Sequence, residues 1–260
     1  GDLLLRLAVS PREVAACQRL RYQVFYEELG ATPVGDMGER GMDGDRFDDI
    51  CDHLVVVRRE SGVEAGAIHL ADGALIGTYR LLRQDVAEAH GGFYTQGEFD
   101  VAPLVAAHKQ LRFLELGRSC VLKPFRTKPV VELLWQGIWN YVRAHDMHVM
   151  LGCASLEGTD PDDHAQSLSF LAEAAAPPEW SVHALPYHRI EMQRIPRQQI
   201  DPKQALKKLP PLIKGYLRLG CYIGNGAVVD RQFNTIDVLI ILPVSAINPR
   251  YFAHFGSPSG

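Results

Sequence analysis

The chain has 260 residues, 47% of them hydrophobic and 22% charged, which is enough to bury a substantial core in one large domain or two small ones. The formal net charge of −4 excludes the global basic field that nucleic-acid-binding proteins present. No apolar stretch reaches the roughly 18–20 residues needed to cross a bilayer. No signal peptide is indicated, because the first apolar run is interrupted by Arg6 and followed by Pro11. With five cysteines and no CxxC pair, the composition is typical of a cytoplasmic protein with reduced thiols.

Strand and helix patterns alternate along the chain. Residues 3–9 have the pattern of a strand, and Ser10 and Pro11 supply an N-cap and a first-turn proline for a helix that extends to about residue 29. An acidic, glycine-rich loop follows at 31–52. Further strands are predicted at 53–59, 65–70, 75–82, 111–121, 149–154, 181–195 and 237–242, with turns at 61–62 and 72–73, and further helices at 98–107, 129–145, 163–174 and 202–220. The alternation predicts a single α/β domain over residues 1–260.

Glu115 and Arg118 lie within the apolar stretch LRFLELGRSCV at 111–121. Charged side chains are rarely buried without a partner or a task. One interpretation is an edge strand whose charges reach water, and the other is a carboxylate on a central strand beside a reaction centre. Residues three apart on a strand point to opposite faces unless a bulge intervenes. The two charges are therefore expected to serve different purposes.

Several catalytic and metal-binding motifs are absent from the sequence. There is no GxSxG elbow and no P-loop, and the GNG at 224–226 lacks the third glycine of a dinucleotide site. The loop residues Asp43, Asp45 and Asp48 do not form an EF-hand, because Asp48 occupies the position that requires glycine. No metal site is predicted. The loop is either a solvated acidic segment or a carboxylate cluster that recognises a cationic substrate or orients basic side chains.

Several long motifs identify a resemblance. From about residue 6 to residue 255 the chain resembles the ornithine-lipid N-acyltransferases, a sister family of the acyl-homoserine-lactone synthases within the GNAT superfamily. The matching segments are RYQVFYEE (21–28), FDDICDHL (47–54), GTYRLL (77–82), GGFYTQGEFD (91–100), LELGRSCV (114–121), LPPLIKGYLRLG (209–220) and FNTIDVLIILPV (233–244). The resemblance implies transfer of a 3-hydroxyacyl chain from acyl carrier protein to the α-amine of ornithine. The product would be lyso-ornithine lipid, the first intermediate of ornithine lipid synthesis, made without a permanently bound cofactor.

The resemblance also implies a GNAT-type fold. We expect a mixed, twisted central sheet flanked by helices, with two splayed parallel strands at 111–121 and 149–154 and a C-terminal extension at 200–255 packed on the domain. The pantetheine arm of the donor would enter between the splayed strands. Glu115 is then the candidate base, acting directly or through water, and its burial is expected to raise its pKa. The further residues expected to bind substrate or to form the scaffold of the site are Arg21, Phe25, Asp45, Asp48, Arg80, Phe99 and Arg118.

Arg118 and Arg80 are open to two interpretations. Each either takes part in the chemistry or holds the acidic loop by pairing with Asp45 or Asp48. Phe99, like Phe93 and Tyr94, either lines an acyl tunnel or belongs to the core.

The loop after the first splayed strand bears on the donor. Acyl-CoA-using GNAT enzymes carry glycines there whose backbone N–H groups bind the pyrophosphate. This chain has no glycine there but has Lys123, Arg126 and Lys128, which suit a single phosphopantetheine phosphate and an acidic carrier protein. The alternative is an ordinary solvated basic loop. Acyl carrier protein is therefore the predicted donor.

Basic residues near the C-terminal extension suggest contact with the inner leaflet of the bacterial membrane. Lys207, Lys208, Lys214 and Arg218 alternate with leucines and Ile213. Pro210 and Pro211 interrupt the pattern, which leaves at most one helix beginning near residue 210. Packing of the apolar face into the core is the other interpretation.

Two other functions remain open. One is an N-acyl amino acid or acyl-homoserine-lactone-like synthase with another amine acceptor, such as glutamine. The other is a non-catalytic module that binds acyl carrier protein or membrane. The combination of Glu115, Arg118 and the acidic loop favours an enzyme, because a binding module needs no candidate base.

Overall fold

The computed structural model describes residues 2–59 and 67–247. They fall into two compact units. The first comprises Gly1–His90 and Leu116–His145, and the second comprises Gly91–Glu115 and Asp146–Gly260, each within the described ranges. The predicted turn at 61–62 and the first residues of the predicted strand at 65–70 lie outside the described residues.

The described residues form strands and helices in an alternating order. The strands are β1 (Leu3–Leu7), β2 (Asp52–Arg58), β3 (His69–Leu70), β4 (Gly73–Arg83), β5 (Phe113–Val121), β6 (Val149–Glu157), β7 (Arg189–Ile190), β8 (Tyr222–Asp230) and β9 (Thr235–Pro243). The α-helices are α1 (Pro11–Tyr22), α2 (Met37–Arg40), α3 (Gln84–Ala89), α4 (Ala102–Ala107), α5 (Lys128–Ala144), α6 (Ala165–Glu173), α7 (Pro202–Lys208) and α8 (Pro211–Leu219). The α/β class predicted from the sequence is confirmed.

In the first unit the strand order is β1-β2-β4-β5, with β3 beside β4. β1 with β2 and β2 with β4 are antiparallel pairs. Helix α1 covers one face of these strands, where Cys17 and Leu20 pack with Val55, Val57 and Cys120. Helix α5 lies on the other face, since a Cβ added to its Gly137 would stand 2.6 Å from Leu54. This arrangement follows from strand alternation, because Leu54 and Val55 point to opposite faces of β2.

The first helix begins where the sequence predicts. The hydroxyl of Ser10 accepts a hydrogen bond from the backbone N–H of Glu13, and Pro11 opens the first turn. The regular α-helix ends at Tyr22, however, and continues as a π-helical segment at Gln23–Glu28.

In the second unit the strand order is β6-β9-β8-β7, and the first three residues of β5 pair with β6. The β5–β6 ladder is parallel, as expected, and runs from Phe113↔Val149 to Glu115↔Leu151, where it ends. Strands β6 and β9 pair antiparallel along their full lengths, from Val149↔Pro243 to Glu157↔Thr235.

Two predicted elements of the second unit are wrong in extent, and one strand was not predicted. The strands expected across 181–195 reduce to Arg189–Ile190. The helix expected at 98–107 begins at Ala102, because Phe99 is extended and forms a bridge with Ala184. Strand β8 was not predicted: its GNG lies at a register shift between Ile223 and Ala227, and glycines at a bulge obscure the alternation that identifies a strand.

The predicted helix at 202–220 is two helices. Helix α7 ends at Lys208 and α8 begins at Pro211, since proline has no N–H to continue a helix. The apolar residues Leu209, Ile213 and Tyr216 are buried, as the core-packing interpretation requires. No helix in the described ranges is long and apolar enough to span a bilayer.

Candidate active site

The first unit contains a largely buried cluster of three arginines and three aspartates. Arg21 comes from α1, Arg80 from β4 and Arg118 from β5, whereas the three aspartates come from the acidic loop before β2. The ion pairs are Arg21–Asp43 (2.7 Å), Asp43–Arg118 (3.1 Å), Arg118–Asp45 (3.2 Å), Asp45–Arg80 (2.7 Å), Arg80–Asp48 (3.3 Å) and Asp48–Arg21 (2.8 Å). Each aspartate thus bridges two arginines, and the six side chains close into a ring of alternating charge. We call these six residues the charge ring.

The ring satisfies the requirement that buried charges be paired. Arg21 and Asp48 are 0% and 2% exposed, where an unpaired ion would be very costly. Burial opposes the charge on Arg21, but Asp48 and Asp43 outweigh it and raise its pKa. Burial likewise opposes the charge on Asp48, yet Arg21 and Arg80 lower its pKa to about 2. For Asp43 the opposing effect of burial is overcome by Arg118, Arg21 and Tyr26, so its pKa is also lowered.

Asp48 also organises the backbone of the acidic loop. Its Oδ2 accepts hydrogen bonds from the backbone N–H of Asp45 (2.9 Å) and from Gln18 of α1 (3.1 Å). Of the two interpretations of the loop, the solvated acidic segment is therefore wrong for these aspartates, which orient basic side chains instead.

Arg118 has an unusual backbone conformation for a strand residue. Its φ is +52°, in the left-handed region that non-glycine residues rarely adopt and that costs roughly 1–2 kcal/mol. The regular alternation of side chains along the strand therefore fails between Glu115 and Arg118. The expectation that residues three apart point to opposite faces does not apply to this pair. The side chain of Arg118 contacts Asp43 and Asp45.

Two residues beside the ring were not selected from the sequence. His53 on β2 pairs across the strands with Arg80, and its Nε2 lies 2.9 Å from the backbone oxygen of Asp48. Burial, with the charges of Arg21 and Arg80, lowers the pKa of His53. The second residue is Tyr26, whose hydroxyl donates to Asp43 (3.0 Å).

The aromatic side chains near the ring have packing roles. The guanidinium of Arg80 lies 5.7 Å from the ring centre of Phe47, within cation–π range. Phe25 is half-buried and packs against the hydrophobic core beneath α1.

Glu115 belongs to the second unit and is 5% exposed. Its Oε2 accepts a hydrogen bond from the backbone N–H of Tyr94 (3.0 Å), and its Oε1 accepts one from Thr95 (2.7 Å). The carboxylate thus anchors the turn at Tyr94–Gly97 and sits at the last pair of the parallel β5–β6 ladder. A carboxylate has about four acceptor positions, so these two bonds are compatible with accepting a proton. Phe99 is fully buried in this unit.

A second acidic group in this unit was missed by the sequence analysis. The ligand atoms of Glu98, Cys153 and Asp237 all lie within 4.8 Å of one another. Burial, followed by the charges of Glu98 and Asp237, raises the pKa of the Cys153 thiol well above its ordinary value, so it remains a thiol. These residues are far apart in sequence, and no local motif signals their meeting.

The predicted basic residues are on the surface. Lys123, Arg126 and Lys128 are exposed; Arg126 forms a bidentate pair with Glu28 (2.7 Å), and Lys128 pairs with Glu132 (3.5 Å). In the C-terminal region Lys207, Lys208 and Arg218 are exposed, whereas Lys214 is half-buried.

Comparison with known proteins defines the class first. The sequence model of the acetyltransferase (GNAT) domain matches residues 20–136, which include the whole charge ring and Glu115. The protein is an acyltransferase of this class, whose members take acyl groups from acyl-CoA-like thioester donors.

Curated relatives then define the family. An L-ornithine N(alpha)-acyltransferase of Agrobacterium fabrum is 49% identical and covers 98% of this chain and 86% of its own length. One from Rhizobium meliloti is 48% identical and covers 100% of this chain and 86% of its own. Among solved structures, an N-acyl amino acid synthase from uncultured soil microbes is 13% identical, with 94% of this chain and 91% of that chain covered and a TM-score of 0.49. The chain belongs to the L-ornithine N(alpha)-acyltransferase family.

Proposed function

We propose that this protein transfers a 3-hydroxyacyl chain from acyl carrier protein to the α-amine of ornithine, forming lyso-ornithine lipid. The observation that carries the proposal is the near-full-length identity of 48–49% to relatives named for acylation of that amine. In the reaction the amine nitrogen attacks the thioester carbonyl, the C–S bond breaks, and the nitrogen loses a proton. The phosphopantetheine thiolate leaves and is protonated. The reaction requires no permanently bound cofactor.

Glu115 is the proposed base. Its burial and its position at the end of the parallel ladder support this role, because a base must be held within hydrogen-bond reach of the proton that it accepts. The N–H groups of Tyr94 and Thr95 fix the carboxylate, so the chemistry uses an acceptor position not occupied by these bonds. The proton transfers directly or through one water.

The charge ring is proposed as the scaffold of the site. Its six side chains neutralise one another, and a guanidinium paired with two carboxylates keeps its proton, so it is poorly suited to proton transfer. Phe25 and Phe99 are assigned packing roles, each within its own unit. This assignment gives Arg118 and Arg80 structural tasks and leaves the chemistry to Glu115.

Acyl carrier protein is the proposed donor. Lys123 is exposed and, within residues 2–59 and 67–247, forms no ion pair, which leaves its charge available to a phosphate or an acidic partner. Arg126 and Lys128 add positive charge to the same segment, but each has a carboxylate neighbour that moderates its contribution.

Lys207, Lys208, Lys214 and Arg218 are proposed to bring the enzyme to the inner leaflet. The exposed lysines of α7 suit anionic lipid headgroups, and α8 contributes mainly through Arg218, since its apolar face is buried. The proposed location is the cytoplasm, with peripheral attachment to the membrane that receives the product.

The deciding experiment is an assay of the purified protein with 3-hydroxyacyl carrier protein and a panel of amino acids that includes ornithine, lysine and glutamine, read by mass spectrometry. We expect N-acylornithine as the dominant product, with a much lower rate when acyl-CoA replaces the carrier protein. Preference for glutamine would make the enzyme a different N-acyl amino acid synthase. Equal rates with both donors would contradict the proposed role of Lys123, Arg126 and Lys128 in binding acyl carrier protein. Absence of any acyl product would favour a non-catalytic binding module.

A further inference from the structure

Tyr26 lies in the π-helical segment Gln23–Glu28 that continues α1. Its hydroxyl is 3.0 Å from Oδ1 of Asp43, while Nε of Arg21 is 2.7 Å from Oδ2 of the same carboxylate. Arg21 lies in the last turn of the regular α-helix α1, and Tyr26 lies five residues further on, in the π-helical segment. The two side chains therefore reach the same carboxylate from consecutive parts of one continuous helix.

The tyrosine proton has a preferred acceptor. The same hydroxyl lies 3.4 Å from Sδ of Met37, but a thioether is a weak acceptor and a carboxylate is a strong one. The hydroxyl is buried with its ring and stacks beside Tyr22, with ring centres 4.9 Å apart. Tyr26 is thus fixed in orientation and directed at Asp43.

Asp43 in turn holds Arg118. Its Oδ2 accepts from Nε of Arg118 at 3.1 Å, and Arg118 is the strand residue in the left-handed conformation. Such a conformation persists only where its surroundings enforce it. Because Arg118 lies in β5, its backbone conformation determines the course of this strand within the first unit.

We propose that Tyr26 is a positioning residue of this acyltransferase: its hydroxyl orients Asp43, and through Asp43 it holds Arg118 in its left-handed conformation within the charge ring. The proposal rests on the proposed role of the charge ring as the scaffold of the site. It adds a residue that has no contact with the reacting groups and acts through one carboxylate.

The test compares three single variants. Tyr26→Phe removes the hydroxyl and keeps the ring, whereas Tyr22→Phe removes the hydroxyl of the stacked neighbour, which has no hydrogen-bond partner within residues 2–59 and 67–247. Met37→Leu removes the weaker acceptor. We expect kcat/KM to fall roughly tenfold in Tyr26→Phe, mainly in kcat, as for loss of a hydrogen bond to a charged group. Both controls should stay within about twofold. An equal loss in Tyr22→Phe would contradict the proposal.

Two further readouts separate positioning from general destabilisation. In an Asp43→Asn background, Tyr26→Phe should produce no additional loss of kcat/KM, because the carboxylate through which it acts is gone. In protein labelled with ¹⁵N at arginine, the NMR chemical shift of the Nε–H group of Arg118 should change in Tyr26→Phe and remain unchanged in Tyr22→Phe. The inference would be overturned if the two substitutions reduced kcat/KM independently, so that their fold-losses multiplied in the double variant. It would also be overturned if the Nε–H signal of Arg118 did not move in Tyr26→Phe. The NMR measurement needs no substrate, so it decides the inference even if ornithine proves not to be the acceptor.

Discussion

Nε of Arg118 lies 3.1 Å from Oδ2 of Asp43, and this ion pair joins a strand residue with a φ of +52° to the acidic loop. Breaking a buried ion pair by removing one partner costs about 3–5 kcal/mol, because the other charge remains buried. Leaving Asp43 without this partner would therefore cost more than the roughly 1–2 kcal/mol of the left-handed conformation, so keeping the pair favours that conformation.

Two substitutions at residue 118 test this balance. Arg118→Ala should lower the free energy of unfolding by about 3 kcal/mol, since Asp43 and Asp45 each lose a cationic partner. Arg118→Gly loses the same pairs but accepts the left-handed conformation, so it should be about 1 kcal/mol more stable than Arg118→Ala. Urea unfolding measures both. If the glycine variant is the less stable one, as in an ordinary strand, the conformation is not under strain.

The charge ring predicts how stability depends on pH. The pKa of Asp48 is about 2 in the folded protein, below its ordinary value of 3.8, so folding favours the ionised carboxylate. This contribution, about 2 kcal/mol, is fully present above about pH 5 and is lost as the pH falls from about 5 to 2. Unfolding at pH 7, 5, 4 and 3 should show the decline begin below pH 5. An Asp48→Asn variant should be less stable at pH 7 and show a shallower decline.

Glu115→Gln separates catalysis from structure at the proposed base. In glutamine one of the two oxygens that accept from Tyr94 and Thr95 becomes an NH2 donor, so in the present geometry one backbone N–H loses its acceptor at a cost of about 1–3 kcal/mol. The rate should fall at least about 100-fold, as for loss of a general base. Steady-state kinetics and thermal unfolding of the same preparation measure the two effects. If the variant folded and turned over substrate at a near-normal rate, Glu115 would not be the base, and water would be the proton acceptor.

Two glycines provide a matched test of packing. In Gly137→Ala the added Cβ would stand 2.6 Å from a methyl of Leu54, so we expect a loss of about 1–3 kcal/mol in unfolding free energy. Gly215 lies within α8 with nothing within 4 Å of an added Cβ, so Gly215→Ala should gain up to about 1 kcal/mol from helix propensity. If the two substitutions change the free energy of unfolding in opposite directions, close packing of α5 on β2 is confirmed. Similar changes in both variants would contradict it.

Charge reversal on α7 tests membrane attachment. Lys207→Glu with Lys208→Glu should abolish most sedimentation with vesicles that contain anionic lipid, because each lysine near such a surface contributes about 1 kcal/mol. Neutral vesicles should bind neither protein. Lys109→Glu, at another exposed lysine, is the control for a general change in charge. Unchanged sedimentation of the double variant would remove α7 from the proposed attachment surface.

Much of the fold was predictable because it depends on local pattern. Ser10 and Pro11 mark the start of α1, and the apolar runs of β2, β5, β6 and β9 identify buried strands. Strand β8 was not predicted because its glycines create a bulge that obscures the alternation of side chains. The π-helical turn after Tyr22 was not predicted because no residue type signals it. The break before α8 was visible in the sequence at Pro210 and Pro211.

The candidate site, like the fold, was predictable only in part. Arginines and aspartates in apolar or motif-bearing segments could be read from the amino-acid sequence, and burial requires such charges to be paired. The family could be read from motifs that span nearly the whole chain. Which carboxylate meets which guanidinium, the link from Arg21 through Asp43 to Arg118, and the left-handed conformation of Arg118 are known from the folded structure alone. Ion pairing depends on distances of about 3 Å between side chains that lie tens of residues apart, and composition and periodicity contain no such distances.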